Sequence, residues 1–351
     1  MRPLAITSCG LVSAAGLGLA ALDHPEPAPR PEADLPPRPM RLVPEFSLAD
    51  HIGKRGTKHL DRMTAFGLVA AKLALADDGA EENGARTGVV LATSTGSVRS
   101  LAAIARDTLV QDKPYQVNPA HFPNTVMNSC AGQIAIWHGL RGVNATLAGG
   151  QVSSLFAFRY ARTAIGQRLA DRLLVGGVEE ASPAVAWAWH KSGALRADTA
   201  VGEGCALVAV EDAERAAERG RPILAHLLAC EVGYHHGGDR TSMAGALASR
   251  VERALSRSGV RPDEVDVVSL GAHNHVGLDR IEQRAVLAAL GRQPRVLRIA
   301  DRLGETYSAS GMMQLVALLR EWARGGADRV ALIPSVGRDG NLGCLVVRRP
   351  A

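Results

Sequence analysis

The side chains best suited to chemistry in this sequence are the histidines His273 and His275 and five cysteines, Cys9, Cys130, Cys205, Cys230 and Cys344. Two histidines two residues apart would share one face of a strand, as a metal-ligand pair does, but no cluster of cysteine, histidine or carboxylate accompanies them. Hydrogen-bonded or solvated histidines are therefore expected, and no metal. The cysteines show no CxxC spacing and are odd in number, which suits reduced thiols buried as small hydrophobes. Gly16-Leu17-Gly18 with Ala21 follows a strand as a dinucleotide fingerprint would. A proline-rich stretch then stands where the crossover helix and acidic ribose ligand belong, so no cofactor is expected. Asp339-Gly340-Asn341 has the start of a calcium loop and lacks its later ligands.

The elements that must position such residues alternate. Leu4–Val12 reads as a strand, and Pro25–Pro44 holds eight of the 18 prolines, the mark of a surface loop. Met63, Phe66, Val69, Leu73 and Ala76 recur at helical spacing over 61–76, and 88–93 follows as an apolar strand before a Gly/Ser turn. Further strands are expected at 145–148, 172–175, 206–210, 223–230, 265–270, 296–299, 329–333 and 344–347, with helices between most of them. Such alternation predicts sheets covered by helices on both faces. With 351 residues, 46% hydrophobic and 21% charged, the chain can bury one large core or two fused ones. A net charge of +5 with 4% aromatics lacks the basic, aromatic-studded stripe of a nucleic-acid binder. No signal-like segment and no run of roughly 20 apolar residues is present, so a cytoplasmic protein without membrane contact is expected.

The sequence also repeats itself. Ala170-Asp171-Arg172 and Ala327-Asp328-Arg329 lie 157 residues apart, each followed by an apolar run. At the same offset 152–166 lies over 309–323 without a gap, and Gly204-Cys205 is matched downstream by Gly343-Cys344. Equal order of elements in both halves implies a duplication. The join falls near 215–222, giving an N-terminal half, 1–218, and a C-terminal half, 219–351.

Several segments carry a resemblance to the β-ketoacyl synthase family. They are Ile6–Ser13, Lys58–Ala76, Gly88–Gly96, Asn118-Pro119 through Phe122–Asn128 to Gly139–Gly142, Gly202–Gly204 through Glu211–Ala213, Asp279 with Glu282, and Gly304 through Ala309 to Gly311. The resemblance implies an α/β protein with a duplicated thiolase-like fold, five layers αβαβα with two mixed sheets. The family uses a cysteine at a helix N-terminus as acyl acceptor, where the helix dipole favours the thiolate, with two histidines and a lysine assisting malonyl decarboxylation. Counted from Gly142, the nucleophile position falls on Gln151. Counted from Asp279, the first histidine position falls on Gly271, though a two-residue gap would bring His273 there. The second histidine position falls on Glu305 and the lysine on Ala300. The second-half glycine motif reads Val336–Asn341, and Trp187 and Trp189 stand in a shortened stretch, where packing beneath the loop is expected.

A glutamine at this place is similar to that of chain-length factors of type II polyketide synthases, and also to glutamine-type decarboxylases that supply primers from malonyl-carrier protein. The latter keep their histidines, so the resemblance implies the former: a non-catalytic subunit forming a heterodimer with an active ketosynthase and serving acyl carrier protein. A still active 3-oxoacyl-carrier-protein synthase, with its nucleophile moved to Cys130, is the other enzyme reading; Cys130 is expected to be packing. The strand containing Ala145 and Leu147 is expected at the dimer interface. His121, Phe122, Met127 and Ile134 are expected to reach the partner's acyl tunnel.

Overall fold

The computed structural model describes residues 3–24, 35–76, 84–237 and 239–350. Its main sheet has two halves of identical topology. In the first, Leu4–Ser13 pairs antiparallel with Gly204–Asp212, which pairs antiparallel with Arg172–Glu179; Thr87–Ala92 and Asn144–Leu147 then follow in parallel. In the second, Ala225–Tyr234, Asn341–Arg348 and Val330–Val336 are antiparallel neighbours, and Val267–Ser269 and Arg295–Leu297 extend them in parallel. A short ladder, Leu4–Ile6 against Ala225–Leu227, joins the halves, so the two mixed sheets expected from the sequence form one hydrogen-bonded sheet, of 11 strands among the described residues.

The alternation of each strand explains the layers. Leu173 and Val175 face one way, into a core with Ala331 and Ile333 of the other half; Leu174 and Val178 face the opposite way. Between the half-sheets lie two helices, Ser153–Gly166 and Ser310–Ala323, and their facing residues belong to that central core. Arg62–Ala76 and Ser129–Trp137 cover the outer face of the first half-sheet, and Arg240–Ser258 and Leu278–Leu290 that of the second. The result is the αβαβα arrangement.

The repeat found in sequence is kept in three dimensions. The central helices and the one-turn 3-10 segments before them, Gly150–Val152 and Tyr307–Ala309, coincide at the 157-residue offset. Gly150 and Tyr307 are equivalent, with φ of 57° and 47°. A left-handed residue is thus needed at this turn in both halves, and the second half fills it with a tyrosine despite the steric cost of its Cβ.

Two expectations need correction. Residues 25–34 of the proline-rich stretch lie outside the described residues, but the rest is no loose surface loop. Met40 and Val43 are buried, Met40–Arg41 pairs with Val201–Gly202, and Arg38 donates to the carbonyl oxygens of Arg196 and Thr199. His273 and His275 are not on a strand, because the strand ends at Ser269. Gly16–Leu17 turns back on Val12–Ser13 as a hairpin.

Candidate functional site

The strand Asn144–Leu147, the 3-10 turn and the central helix place Gln151 just ahead of the helix N-terminus. Ser153 secures this turn: its hydroxyl donates to the Gly150 carbonyl at 2.7 Å and accepts from the Gly149 amide at 2.8 Å. The equivalent turn of the second half lies against it and supplies Glu305, which precedes Tyr307–Ala309. The loop after Val267–Ser269 brings in His275. These three residues, distant in sequence, form a buried chain. Gln151 Nε2 donates to Glu305 Oε1 at 3.1 Å, and Glu305 Oε2 lies 2.8 Å from His275 Nε2. The Tyr307 amide also donates to Glu305 Oε1, at 2.6 Å. Burial pushes the Glu305 carboxyl up, but the His275 charge and these hydrogen bonds outweigh it and hold it below the ordinary range.

The other two positions that the resemblance points to, Gly271 and Ala300, carry no ionisable side chain. A Cβ on Gly271 would meet Gln314 Nε2 at 2.6 Å, so an imidazole has no room there as the side chains stand. Ala300 is buried at the start of the short helix Ala300–Leu303, and its side chain is a methyl group. His273, the alternative for the first position, turns away: Nε2 is 2.7 Å from Asp301 Oδ1, and Nδ1 is 3.2 Å from the Leu270 carbonyl.

A cavity of about 470 Å³ opens over Gln151, Glu305 and His275. Val98, Val185, Ala188 and Leu278 make it largely apolar, and Trp189 forms part of its wall, edge-on to both His275 and Tyr307. The expectation that Trp189 only packs beneath a loop is therefore corrected. Trp187 faces outward, stacked edge-on with His190 and covered by Lys191. Three further carboxyls line the cavity, those of Glu179, Glu180 and Asp339. Glu179 accepts from Ser94, Thr95 and Ser308, and burial raises its pKa in spite of these bonds. Glu180 is pushed up to about 7 by burial, against the pull of the Arg99 amide. The sequence analysis gave His275 and Trp189 no part in a site and passed over Tyr307 and this glutamate pair; two carboxylates in succession at the end of a fully buried strand were the available signal.

Cys130 lies outside this cavity. Its thiol is enclosed between the helices Arg62–Ala76 and Ser129–Trp137, and burial pushes its pKa well above the ordinary thiol range, so it is no nucleophile near neutral pH.

At the surface, Asn144–Leu147 ends the sheet, paired among the described residues on one side only, with Val89–Ala92, and Ala145 and Leu147 are half-buried. On the 3-10 segment Pro119–Thr125 His121 is exposed and Phe122 is 65% exposed, and Met127 beyond it is 37% exposed. Ile134 does not join them. It is fully buried against the helix Arg62–Ala76, where a Cβ on Gly67 would meet its side chain, so it belongs to this chain's own core.

The duplicated five-layer architecture, with a helix-capping turn from each half meeting at one buried site, is that of the thiolase-like ketosynthases, and this chain belongs to the β-ketoacyl synthase family. The family's N-terminal domain matches residues 46–216 and its C-terminal domain residues 224–325. The chain is similar to the ishigamide ketosynthase/chain length factor, with a TM-score of 0.88 and 34% identity over 99% of this chain and 100% of that one. It is 29% identical to an actinorhodin polyketide beta-ketoacyl synthase 2 of Streptomyces coelicolor, over 95% of this chain and 89% of the relative. It is 26% identical to the 3-oxoacyl-[acyl-carrier-protein] synthase 2 of Vibrio cholerae, over 78% of this chain and 73% of the relative. No helix among the described residues is long and apolar enough to cross a membrane.

Proposed function

We propose that this chain is a chain-length-factor-like subunit: it performs no condensation, pairs with an active ketosynthase, and shapes that partner's acyl tunnel during extension on acyl carrier protein. One observation carries the reading, the buried chain Gln151–Glu305–His275 at the former reaction centre. A carboxamide forms no thioester. The ionised Glu305 stands where a developing enolate needs a donor or a positive charge, and it occupies the Nε2 of the only imidazole close by among the described residues. The unpaired edge of Asn144–Leu147 offers the surface for pairing, since an open apolar edge invites another strand. On this reading Phe122 and Met127 are the tunnel-facing residues, and residues 1–218 and 219–351 are the two halves of the duplication.

A glutamine-type malonyl decarboxylase is the second reading. It is favoured by the open cavity and by an imidazole beside Gln151. The two are separated by incubating the purified chain, with and without a co-expressed ketosynthase, with malonyl-acyl carrier protein and following intact mass. A silent subunit leaves the malonyl group in place and forms a stable one-to-one complex. Carbon dioxide loss catalysed by this chain alone, abolished by Gln151→Ala, would instead establish the decarboxylase. A stable monomer that ignores every co-expressed ketosynthase refutes the pairing.

A further inference from the structure

The central helix Ser153–Gly166 is buried on most of its surface between the half-sheets, yet one stripe of it is open. Phe156, Arg159, Tyr160 and Thr163 are spaced as one helical face; Phe156 is half-buried and the other three are exposed. With Leu147 and Ala148 at the end of the edge strand they line a groove of about 510 Å³. Arg159 is the one charged residue of that groove, and no carboxylate lines it. Its guanidinium makes no ion pair or hydrogen bond among the described residues.

The internal repeat shows how the same stripe is closed in the other half. At the 157-residue offset Phe156, Arg159 and Tyr160 become Met313, Val316 and Ala317, which are 2%, 0% and 4% exposed. The 3-10 segment Leu19–Asp23 lies against that second helix and adds Leu22 to the central core. Its Asp23 carboxylate is held by Arg320, the equivalent of Thr163, and by Arg324 at 3.2 Å. The second-half helix is thus met by an apolar residue and a carboxylate brought from elsewhere in the chain. In the first-half groove no described segment does either, and the unpaired edge of Asn144–Leu147 lies beside it. A second copy of this chain is a poor cover, because a two-fold pair sets the same patch on both sides and would bring together two arginines and no groove carboxylate.

We propose that this stripe is where the chain recognises an unlike subunit: Phe156 and Tyr160 pack on an apolar surface of the partner ketosynthase, and Arg159 pairs with a carboxylate that the ketosynthase presents there. The inference rests on the pairing reading above and adds to it the residue that selects a ketosynthase over a second copy. An ion pair enclosed by the apolar contacts of Phe156 and Tyr160 is shielded from water, so removing its cation leaves a carboxylate buried and unpaired.

The test is biolayer interferometry between the full chain and a co-expressed ketosynthase, with Arg159→Lys, Arg159→Met and Arg159→Glu beside the wild type. Arg159→Met is expected to weaken the complex at least about thirtyfold and Arg159→Glu at least about hundredfold, whereas Arg159→Lys keeps the charge and stays within about tenfold. Added salt should weaken the wild-type complex more than the Arg159→Met complex. Arg159 is exposed in the free chain, so the variants should keep its melting temperature, and the neutral Arg159→Met keeps the test decisive if the charge reversal does not fold. Affinity moved less than about twofold by both Arg159→Met and Arg159→Glu overturns this inference and leaves the pairing standing. A wild-type chain that pairs with itself in preference to the ketosynthase also overturns it. Failure of the wild type to bind any co-expressed ketosynthase overturns the pairing, and this inference with it.

Discussion

Replacing Glu305 with alanine removes the acceptor for three donors at once: Gln151 Nε2 at 3.1 Å, His275 Nε2 at 2.8 Å and the Tyr307 amide at 2.6 Å. Glu305 and His275 are 1% and 2% exposed, so the orphaned groups are not rescued by bulk water. At about 1–3 kcal/mol for each unsatisfied group the ceiling is high, but the adjoining cavity can admit water, which places the expected loss near the 3–5 kcal/mol of a broken buried pair. Glu305→Gln retains a carbonyl oxygen for Gln151 and Tyr307 and loses only the charge-assisted bond to His275, so about 1–2 kcal/mol is expected. Because the folded-state pKa of Glu305 lies below the ordinary carboxylate value, its contribution is present in full above that value and is lost as pH falls through the folded one. The gap between wild type and Glu305→Gln should therefore narrow on acidification. Urea unfolding followed by far-UV circular dichroism at pH 7.5 and pH 4 measures both quantities. A loss below about 0.5 kcal/mol for Glu305→Ala, or a gap that widens in acid, would show that this carboxylate does not tie the two halves together.

Glu180 has the opposite sign. Its folded pKa of about 7 stands above the unfolded value, so it does not oppose folding in acid and destabilises increasingly as pH rises. The shift corresponds to about 3 kcal/mol, and Glu180→Gln should remove most of that decline in a comparison of melting temperatures at pH 5 and pH 8. Ile134→Ala, in the core, should cost about 2–5 kcal/mol, whereas exposed Phe122→Ala should stay within about 0.5 kcal/mol. In the reconstituted pair Phe122→Ala should shift product length by mass spectrometry with complex formation intact; an unchanged product distribution removes Phe122 from the tunnel wall.

The parts of this protein that could be read from sequence are those fixed by gapless spacing. Gln151 lies between a glycine-marked run ending at Gly142 and a helix whose repeat stands 157 residues on, so neither side can slip. His275 has no such fixed frame. It sits in an irregular loop between Ser269 and Leu278, where the side-chain direction depends on turn geometry rather than period, and counting from Asp279 led to Gly271. Ile134 illustrates a different limit. An apolar helix such as Ser129–Trp137 presents hydrophobic residues on several faces, and only packing against Gly67 decides that Ile134 points inward while Ile136, two residues on, is 73% exposed. Trp189 became a wall of the cavity because the helix Pro183–Ser192 lies across it, a tertiary fact that composition does not carry.

On the proposed reading the loss of chemistry is concerted, and the duplication explains why. The two turns that precede the central helices are equivalent by the internal repeat and pack on each other, so a side chain placed in one is felt in the other. A thiolate at position 151 would face the Glu305 carboxylate across the distance Gln151 now bridges, and two anions at that separation in a buried site would drive the thiol toward its neutral, unreactive form. Gln151 accommodates Glu305 because its amide donates where a thiolate cannot, and Glu305 in turn occupies His275. Each replacement thus makes the others tolerable. On that reading what remains is a geometry suited to an interface: the left-handed turns at Gly150 and Tyr307, the buried helices behind them, and an edge strand open to pairing.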